Sequence, residues 1–483
     1  MQKDDGRIVE RGRMSLQCTD CGRDWPLDPT RWRCDCGGLL EIEGAPSFDP
    51  TLVNESEHTL WRYRAALPVP DGATPVTLGE GGTPLVAAEW GGRPLYLKAE
   101  HLNPTGSFKD RGAALLVTAL KAAGAREVVD DSSGNAGAAL AAYAARAGLC
   151  ATVYAPAHAS PVKQRQIAVY GAEIVLTPGP RSEASRAARR AVENGAVSEA
   201  AYASHAYSPF FAQGMKTVAF ELWEQLEKRA PGSVVVPVGH GGLLLGLHRG
   251  FAELLAAGLI DRWPRLFGVQ ALACAPLARA WERGASDVEP VEERATVAGG
   301  VRIAAPPWGR AILAGVRESD GSILALPDGE ILAAQEKLAH QGVYVEPTSA
   351  LVVAALERLG DRLGETPVAV LTGSGFKTPL PATDWQQRVV AFIQRHRLRH
   401  DPSVHALDLV SEVGEVAKEV LLATDYGQRE PEFRSELTDE LGDAFYSLLA
   451  LANACGVDAD SALNAALKKY EHRLAERGTA GST

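Results

Sequence analysis

The stretch NPTGSFKDRGAALLV, Asn103 to Val117, sets Lys109 behind a Gly-Ser turn and at the head of a helical pattern. A lysine there opposes the helix macrodipole. Its ammonium pKa is expected to fall, which suits an amine that must attack a carbonyl. Most lysines in turns are merely solvated, so position alone decides nothing. Two glycine-bearing loops add weight. SSGNAG, Ser132 to Gly137, joins a strand pattern to a helix pattern and offers backbone amides as a carboxylate cradle. GHGGLLLG, Gly239 to Gly246, follows the strand pattern SVVVPVG, and the amides of Gly239, His240, Gly241, Gly242 and Leu243 are placed to surround a phosphate. His240 is needed there for its backbone. One such loop is an ordinary turn; three motifs together are not.

Two further constellations lie outside this set. LQCTDCGRDWPL and RWRCDCGGLLEI carry Cys18, Cys21, Cys34 and Cys36. The C-x2-C pair suits a tetrahedral zinc knuckle, although the second pair, C-x-C, is one residue short of the usual partner. In a reducing compartment such clustering points to metal before disulfide, with a metal-free turn holding buried thiols as the other reading. Near the other end, SEVGEVAKEV and ELTDELGDAF are acidic helical patterns. Glu412, Glu415 and Glu419 fall on one face, beside Val413, Val416 and Val420. Glu436, Glu440 and Asp443 are interleaved with Leu437, Leu441, Ala444, Phe445 and Leu448, which are expected to point into a core. Carboxylates at a core boundary need partners, and facing pairs from two helices would bind Mg²⁺ through oxygen. The bland alternative is solvated acids, with Glu415 supported by Lys418.

The elements that must position these residues are legible. EVVDD, Ala151–Pro156, Ala172–Pro178, Ser233–Gly239, Leu266–Ala271 and Pro367–Gly373 read as buried strands. Helical patterns such as Ala136–Gly148 alternate with them, which implies parallel sheets with helices on both faces, in two α/β lobes. After a Pro-containing linker, Lys377–Asp384, the texture becomes all-helical, with helices near 385–399, 404–424, 432–455 and 458–476. Three domains are therefore expected: 1–50, 51–380 and 385–483. With 46% hydrophobic residues among 483 there is ample material for more than one core. The net charge of -11 and pI near 5.6 disfavour nucleic-acid and anionic-membrane surfaces. The opening MQKDDGRIVERGRM is charged and lacks a leader's apolar stretch, so a cytoplasmic location is expected.

NPTGSFKDRGA, SSGNAG, GHGGLLLG and TGSG (Thr372–Gly375), in that order, resemble the fold-type II pyridoxal-phosphate enzymes, and within them threonine synthase and its relatives. Tyr207–Leu222, Ala298–Leu313 and YVEPTSA, Tyr344–Ala350, extend the resemblance over residues 75–380. It implies a two-lobed fold like the tryptophan synthase β chain. It implies that Lys109 forms the Schiff base with the cofactor and then shuttles protons. Asn135 would hydrogen-bond the ring 3′-oxygen. Ser132, Ser133, Gly134, Asn135 and Ala136 would hold the substrate carboxylate, and Gly239–Leu243 the cofactor phosphate. Thr372 would face the pyridine nitrogen, with Ser374 as the alternative. A neutral hydroxyl there favours β-elimination, β-replacement and their γ-linked variants over transamination. Threonine synthases usually carry Gly-Asn-x-Gly-Asn in the phosphate loop. Here Gly-His-Gly-Gly-Leu looks closer to threonine dehydratases and other amino-acid lyases, which leaves deamination of threonine or serine open. Threonine synthase-like proteins often begin with a cysteine ribbon too, which fits zinc on the four N-terminal cysteines.

The tail, residues 385–476, resembles the MazG-type nucleoside triphosphate pyrophosphohydrolases. The resemblance rests on E-x-x-E, then E-x-x-D, then CGVDADSALNAALKKYEHR, Cys455–Arg473, with Trp385–His396 as the first helix. It implies Glu412, Glu415, Glu440 and Asp443 as Mg²⁺ ligands, and Asn464, Lys468 and Tyr470 near the nucleotide. It also implies cleavage of a nucleoside triphosphate to monophosphate and pyrophosphate, and a partner subunit that completes the bundle, so a homodimer or larger assembly. The other reading makes the tail an assembly or nucleotide-sensing module.

Overall fold

The computed structural model describes residues 14–70, 72–157, 159–179, 181–193, 200–377, 385–477 and 479. The charged N-terminal stretch, nearly all of the linker and most of the C-terminal GTAGST lie outside them. The chain divides into two compact units, Met1–Thr378 and Pro379–Thr483.

Two parallel sheets organise the first unit. The larger has six strands in the spatial order Ser322–Leu326, Arg265–Ala271, Ser233–Pro237, Pro367–Val370, Arg93–Lys98 and Leu85–Trp90. All neighbours pair in parallel except the last two, which form an antiparallel hairpin at the edge. The smaller has Glu173–Thr177, Cys150–Pro156, Glu127–Asp130 and Ala200–Tyr202, all parallel. The central strand Ser233–Pro237 is buried at every position, as expected for a strand covered on both faces. The hairpin and the strands Ala200–Tyr202 and Ser322–Leu326 carry weaker apolar patterns, and the sequence reading did not resolve them.

Helix ends follow local chemistry. The helix Asn135–Ala147 stops at Gly148, whose φ of 74° puts it in the left-handed region. The helix Lys109–Ala122 is pinned by a buried ionic network. Arg111 donates to both oxygens of Glu100 and both of Glu221, each at 2.7 Å. Lys98 Nζ donates to Glu221 Oε2 and to the Thr83 carbonyl, both at 2.7 Å. Two cations thus meet two anions with their hydrogen-bonding capacity largely used, the condition for a buried ion cluster to be tolerated.

Residues 15–43 form a three-stranded antiparallel ribbon. It has no core of its own: Leu16, Leu40, Ile42 and the following Phe48 join the core of the larger body. Phe48 stacks on Phe220 at 4.4 Å between ring centroids.

The second unit is helical: Trp385–His396, Pro402–Ala423, Glu436–Ala454 and Ala459–Arg477. One expectation for it is corrected. Leu441, Phe445 and Leu448 do not enter a core within the chain; they are 52%, 44% and 48% exposed. Ser447, Leu449 and Ala450 are buried instead. Val413 and Val420 are likewise exposed. One chain supplies too few helices to cover both sides of these apolar stripes. Among the described residues no helix is long and apolar enough to cross a membrane.

Candidate functional site

Strand ends and helix starts bring the predicted residues to one cavity of about 320 Å³, lined by Lys109, Ser132–Ala136, Gly239–Leu243 and Thr372. Ser374 does not line it; its amide donates to the Gly106 carbonyl at 2.9 Å. Lys109 is the first residue of its helix. Its amine is held down to about 7, chiefly by burial, with the Arg181 guanidinium adding to the effect and Asp130 and Glu346 opposing it. Burial, which position in the sequence does not report, is the leading cause.

The Gly239–Leu243 loop leads into the helix Gly242–Ala256. The first four amides of a helix have no intrahelical acceptor, so they face whatever sits at its end. Gly241 has φ +87°, and a Cβ on it would lie 2.2 Å from Ile312 Cδ1. A Cβ on Gly242 would meet nothing within 4 Å, so open space lies over this cradle. An anion of phosphate size fits the donor set. Ser132–Ala136 makes a second cradle at the start of the helix Asn135–Ala147. Asn135 Nδ2 donates to Glu346 Oε1 at 2.8 Å, while its buried Oδ1 has no partner. Thr372 is buried, and its hydroxyl lies 3.1 Å from that of Ser349. The cavity therefore offers an amine, two amide cradles and a neutral hydroxyl, which fit pyridoxal phosphate and an amino-acid carboxylate.

Sequence reasoning assigned no role to several residues here. Ser349 lies within YVEPTSA, Tyr344–Ala350, and nothing in that stretch marks which side chain meets Thr372. Glu346 also accepts from Lys163 Nζ at 3.2 Å. Arg181 reaches His240 Nε2 at 3.3 Å, and the His205 and His240 rings meet edge to face at 5.1 Å. His240 thus contributes a side chain as well as backbone.

The four ribbon cysteines converge. Their sulfurs all lie within 4.8 Å of one another, with pairs at 3.5 Å (Cys18–Cys36 and Cys21–Cys36) and 3.7 Å (Cys21–Cys34). A disulfide needs about 2.05 Å. Sulfurs about 2.3 Å from a tetrahedral zinc would stand about 3.8 Å apart, which these distances approach. Cys34 is lowered to about 6, first by a backbone hydrogen bond from Cys36, whereas Cys36 itself is raised to about 12 despite a backbone hydrogen bond from Gly38, through its three sulfur neighbours and burial.

In the helical unit Glu412, Glu440 and Asp443 offer carboxylate oxygens within 4.8 Å of one another. Glu412 is raised above the usual carboxylate range by burial first, then by Asp443, Asp408, Glu440 and Glu415. This clustered negative charge fits a hard divalent cation. Glu415 is not in the trio and is ion-paired with Lys418 at 2.8 Å. Glu419 is buried and paired with Arg434. Asn464 donates to Asp460 at 3.1 Å, Tyr470 is 40% exposed, and Lys468 lies on the same helix, Ala459–Arg477.

Comparison with known proteins agrees with this geometry. Residues 76–373 match the family model "Pyridoxal-phosphate dependent enzyme", and residues 401–477 match the "MazG nucleotide pyrophosphohydrolase domain". The chain is 35% identical to threonine synthase of Methanocaldococcus jannaschii, over 76% of this chain and 93% of that protein. It is 39% identical to threonine synthase of Mycobacterium leprae, over 66% and 88%. The crystal structure of a T.th. threonine deaminase matches with a TM-score of 0.53 and 31% identity, over 60% of this chain and 92% of that one. The chain belongs to the pyridoxal-phosphate-dependent enzymes of fold-type II, with threonine synthases among its relatives, and it carries a MazG domain at its C-terminal end.

Proposed function

We propose that the chain carries two activities. The first is a carbon–oxygen lyase or synthase reaction on an amino acid with a leaving group on its side chain, of the threonine synthase kind. The second is Mg²⁺-dependent hydrolysis of a nucleoside triphosphate to monophosphate and pyrophosphate. The observation that carries the first is the convergence of Lys109, two amide cradles and Thr372 on one cavity.

Bound pyridoxal phosphate supplies the electron sink for chemistry at Cα. The residues supply the rest. Lys109 Nζ would hold the cofactor, and its amine, held near 7, is suited to moving the proton at Cα. The amides of Gly239–Leu243 hold the phosphate, and Ser132–Ala136 orients the substrate carboxylate. Asn135 Nδ2 gives one proton to Glu346 and would have its second for the ring oxygen. Thr372 offers the ring nitrogen a hydrogen bond without a charge.

The resemblance to threonine synthases favours a phosphorylated homoserine as substrate. The loop Gly239–Leu243, without asparagines, and the likeness to threonine deaminase favour a second reading, release of an oxoacid from threonine or serine. Incubating the protein with each substrate separates them: inorganic phosphate plus threonine supports the first, an oxoacid plus ammonia the second. Lys109→Ala must lose the cofactor's bound absorbance and its borohydride labelling. Labelling retained at another lysine overturns the assignment.

In the tail, Glu412, Glu440 and Asp443 would hold Mg²⁺, with Glu415 joining by leaving Lys418. The ion would offset the triphosphate charge and activate a water. The test is pyrophosphate release from a nucleotide panel, with Glu412→Gln beside it. Nucleotide binding without release would make the tail a sensing or assembly module. The exposed Leu441, Phe445 and Leu448 support a second copy of the chain as their cover, which sedimentation would detect. Structural zinc on Cys18, Cys21, Cys34 and Cys36 completes the reading, checked by metal analysis of the purified protein.

A further inference from the structure

Beside the cavity, at one edge of the smaller sheet, lie two buried polar groups that the proposed roles do not use. Asp130 ends the strand Glu127–Asp130, and His205 follows the neighbouring strand Ala200–Tyr202, so parallel pairing delivers both to the same edge. His205 Nδ1 lies 3.9 Å from Asp130 Oδ1, with the two side chains 5% and 1% exposed. That is an ion-pair distance, longer than a hydrogen bond. Neither carboxylate oxygen of Asp130 has a hydrogen-bond partner among the described residues, and neither has His205 Nδ1. Fully buried polar atoms left this way call for an explanation. His205 lines the cavity, and it and Lys109 Nζ lie on the same Phe211 ring, at 5.8 and 5.5 Å from its centroid.

We propose that His205, backed by Asp130, is the second proton-transfer group of this cavity and protonates the departing oxygen of the substrate. The inference rests on the lyase reading above. In a β-elimination Lys109 Nζ takes the Cα proton, and the electron pair of that bond goes to the new Cα–Cβ double bond. The Cβ–O bond breaks with its pair on oxygen, and His205 Nε2 gives that oxygen its proton. Lys109 ends with one proton more and His205 with one fewer, and exchange with water restores both. The groups facing the imidazole set its charge. Without ligand the imidazole is held well below its usual range, by burial first, then by Lys109 and Arg181, with Asp131 opposing. Asp130 is raised to about 6 by burial, with the adjacent Asp131, backbone and side chain, opposing most, then Arg181 and Lys109. Anions seated on the two cradles would offset those cations and favour a charged His205. Catalytic contacts that are long without ligand commonly tighten with it.

The distinguishing property is dependence on the leaving group. Hydroxide leaves only with a proton; chloride leaves without one. Pyruvate formation from L-serine and from β-chloro-L-alanine is measured for the holoenzyme, His205→Gln and Asp130→Asn. General acid catalysis contributes about 10²–10⁴-fold, so the serine rate of His205→Gln should fall further than its chloroalanine rate by about tenfold or more. Asp130→Asn should fall in the same direction. Equal losses on both substrates, or no loss on serine, overturn the proposal. A reading independent of turnover is the titration of histidine ring carbons by NMR in the holoenzyme, with His205 assigned by its absence in His205→Gln. Asp130→Asn removes an opposite charge 3.9 Å away and should lower that pKa by about one unit or more. An unmoved titration overturns the pairing. Bound-cofactor absorbance in His205→Gln separates the two levels. If it persists while the leaving-group effect is missing, this inference fails alone. If Lys109→Ala also keeps it, the lyase reading fails as well.

Discussion

The hydroxyls of Ser349 and Thr372 lie 3.1 Å apart, both residues buried and Thr372 lining the cavity. Ser349 Oγ also accepts from the Gly373 amide at 2.7 Å and lies 3.1 Å from the Gly373 carbonyl. Ser349 therefore fixes both the rotamer of Thr372 and the backbone beside it. Ser349→Ala leaves the buried Gly373 N–H without its acceptor, at a cost of about 1–3 kcal/mol. The expected outcome is a lower melting midpoint together with a shifted absorbance maximum of the bound cofactor. An unchanged spectrum would remove Thr372 from contact with the ring.

Lys109 should react as an unusually acidic amine. Its ammonium is depressed to about 7, mostly by burial. The neutral amine is the nucleophile, so covalent attachment of pyridoxal phosphate to the apoprotein should speed up as pH rises through about 7. It should level off well before the ordinary lysine range near 10.4. Stopped-flow absorbance from about pH 6 to about pH 10, which spans that value and the ordinary lysine range, checks this. Because Arg181 contributes to the depression, Arg181→Gln should move the midpoint upward. A rate still climbing at pH 9–10, as for a free lysine of about 10.4, would mean that Lys109 is solvated.

How much of this was legible in the sequence follows from the range of the interactions. Lys109, Ser132–Ala136 and Gly239–Leu243 act largely through position at a strand end or helix start, and local pattern reports that directly. His205, Arg181, Glu346 and Ser349 act through side chains that meet only after strands distant in sequence pair. Nothing local marks His205 as the neighbour of Asp130; the pairing of Val129 with Tyr202 does that. The acidic helices show the converse. Their spacing was legible, yet Glu415 turned to Lys418, and Leu441 and Phe445 were left exposed. Periodicity says which residues share a stripe, not whether one chain can cover it.

The clustered acids of the tail should cost stability until a cation arrives. Glu412 feels Asp443, Asp408, Glu440 and Glu415, all of the same sign. Glu412→Gln removes one charge from that set. The metal-free variant should melt at a higher temperature than the parent tail, and millimolar Mg²⁺ should raise the parent's midpoint but not the variant's. Glu415→Gln, outside the trio, should keep most of the Mg²⁺ response. Calorimetry with and without Mg²⁺ reads all three. A Glu412→Gln protein that still responds fully to Mg²⁺ would place the ion elsewhere.

The network under Lys109 makes the last prediction. Arg111 and Lys98 are fully buried and share Glu221, with Glu100 as the second anion. Glu221→Gln leaves two buried cations facing one carboxylate. Breaking a buried pair in this way costs about 3–5 kcal/mol. Burial alone would raise Glu221; Arg111 and Lys98 outweigh it and hold the carboxyl far below its usual range. A carboxylate with a depressed pKa in the folded state contributes stability above its unfolded value, about 4.3, and loses it as pH falls toward the folded value. The gap between parent and Glu221→Gln in urea unfolding should therefore be widest near neutrality and narrow below about pH 4. Since Arg111 lies two residues into the helix that Lys109 begins, the variant should also retain its cofactor less tightly. A gap that stays constant from neutral pH to well below about pH 4 would mean that the lost contact is packing, with no charge in it.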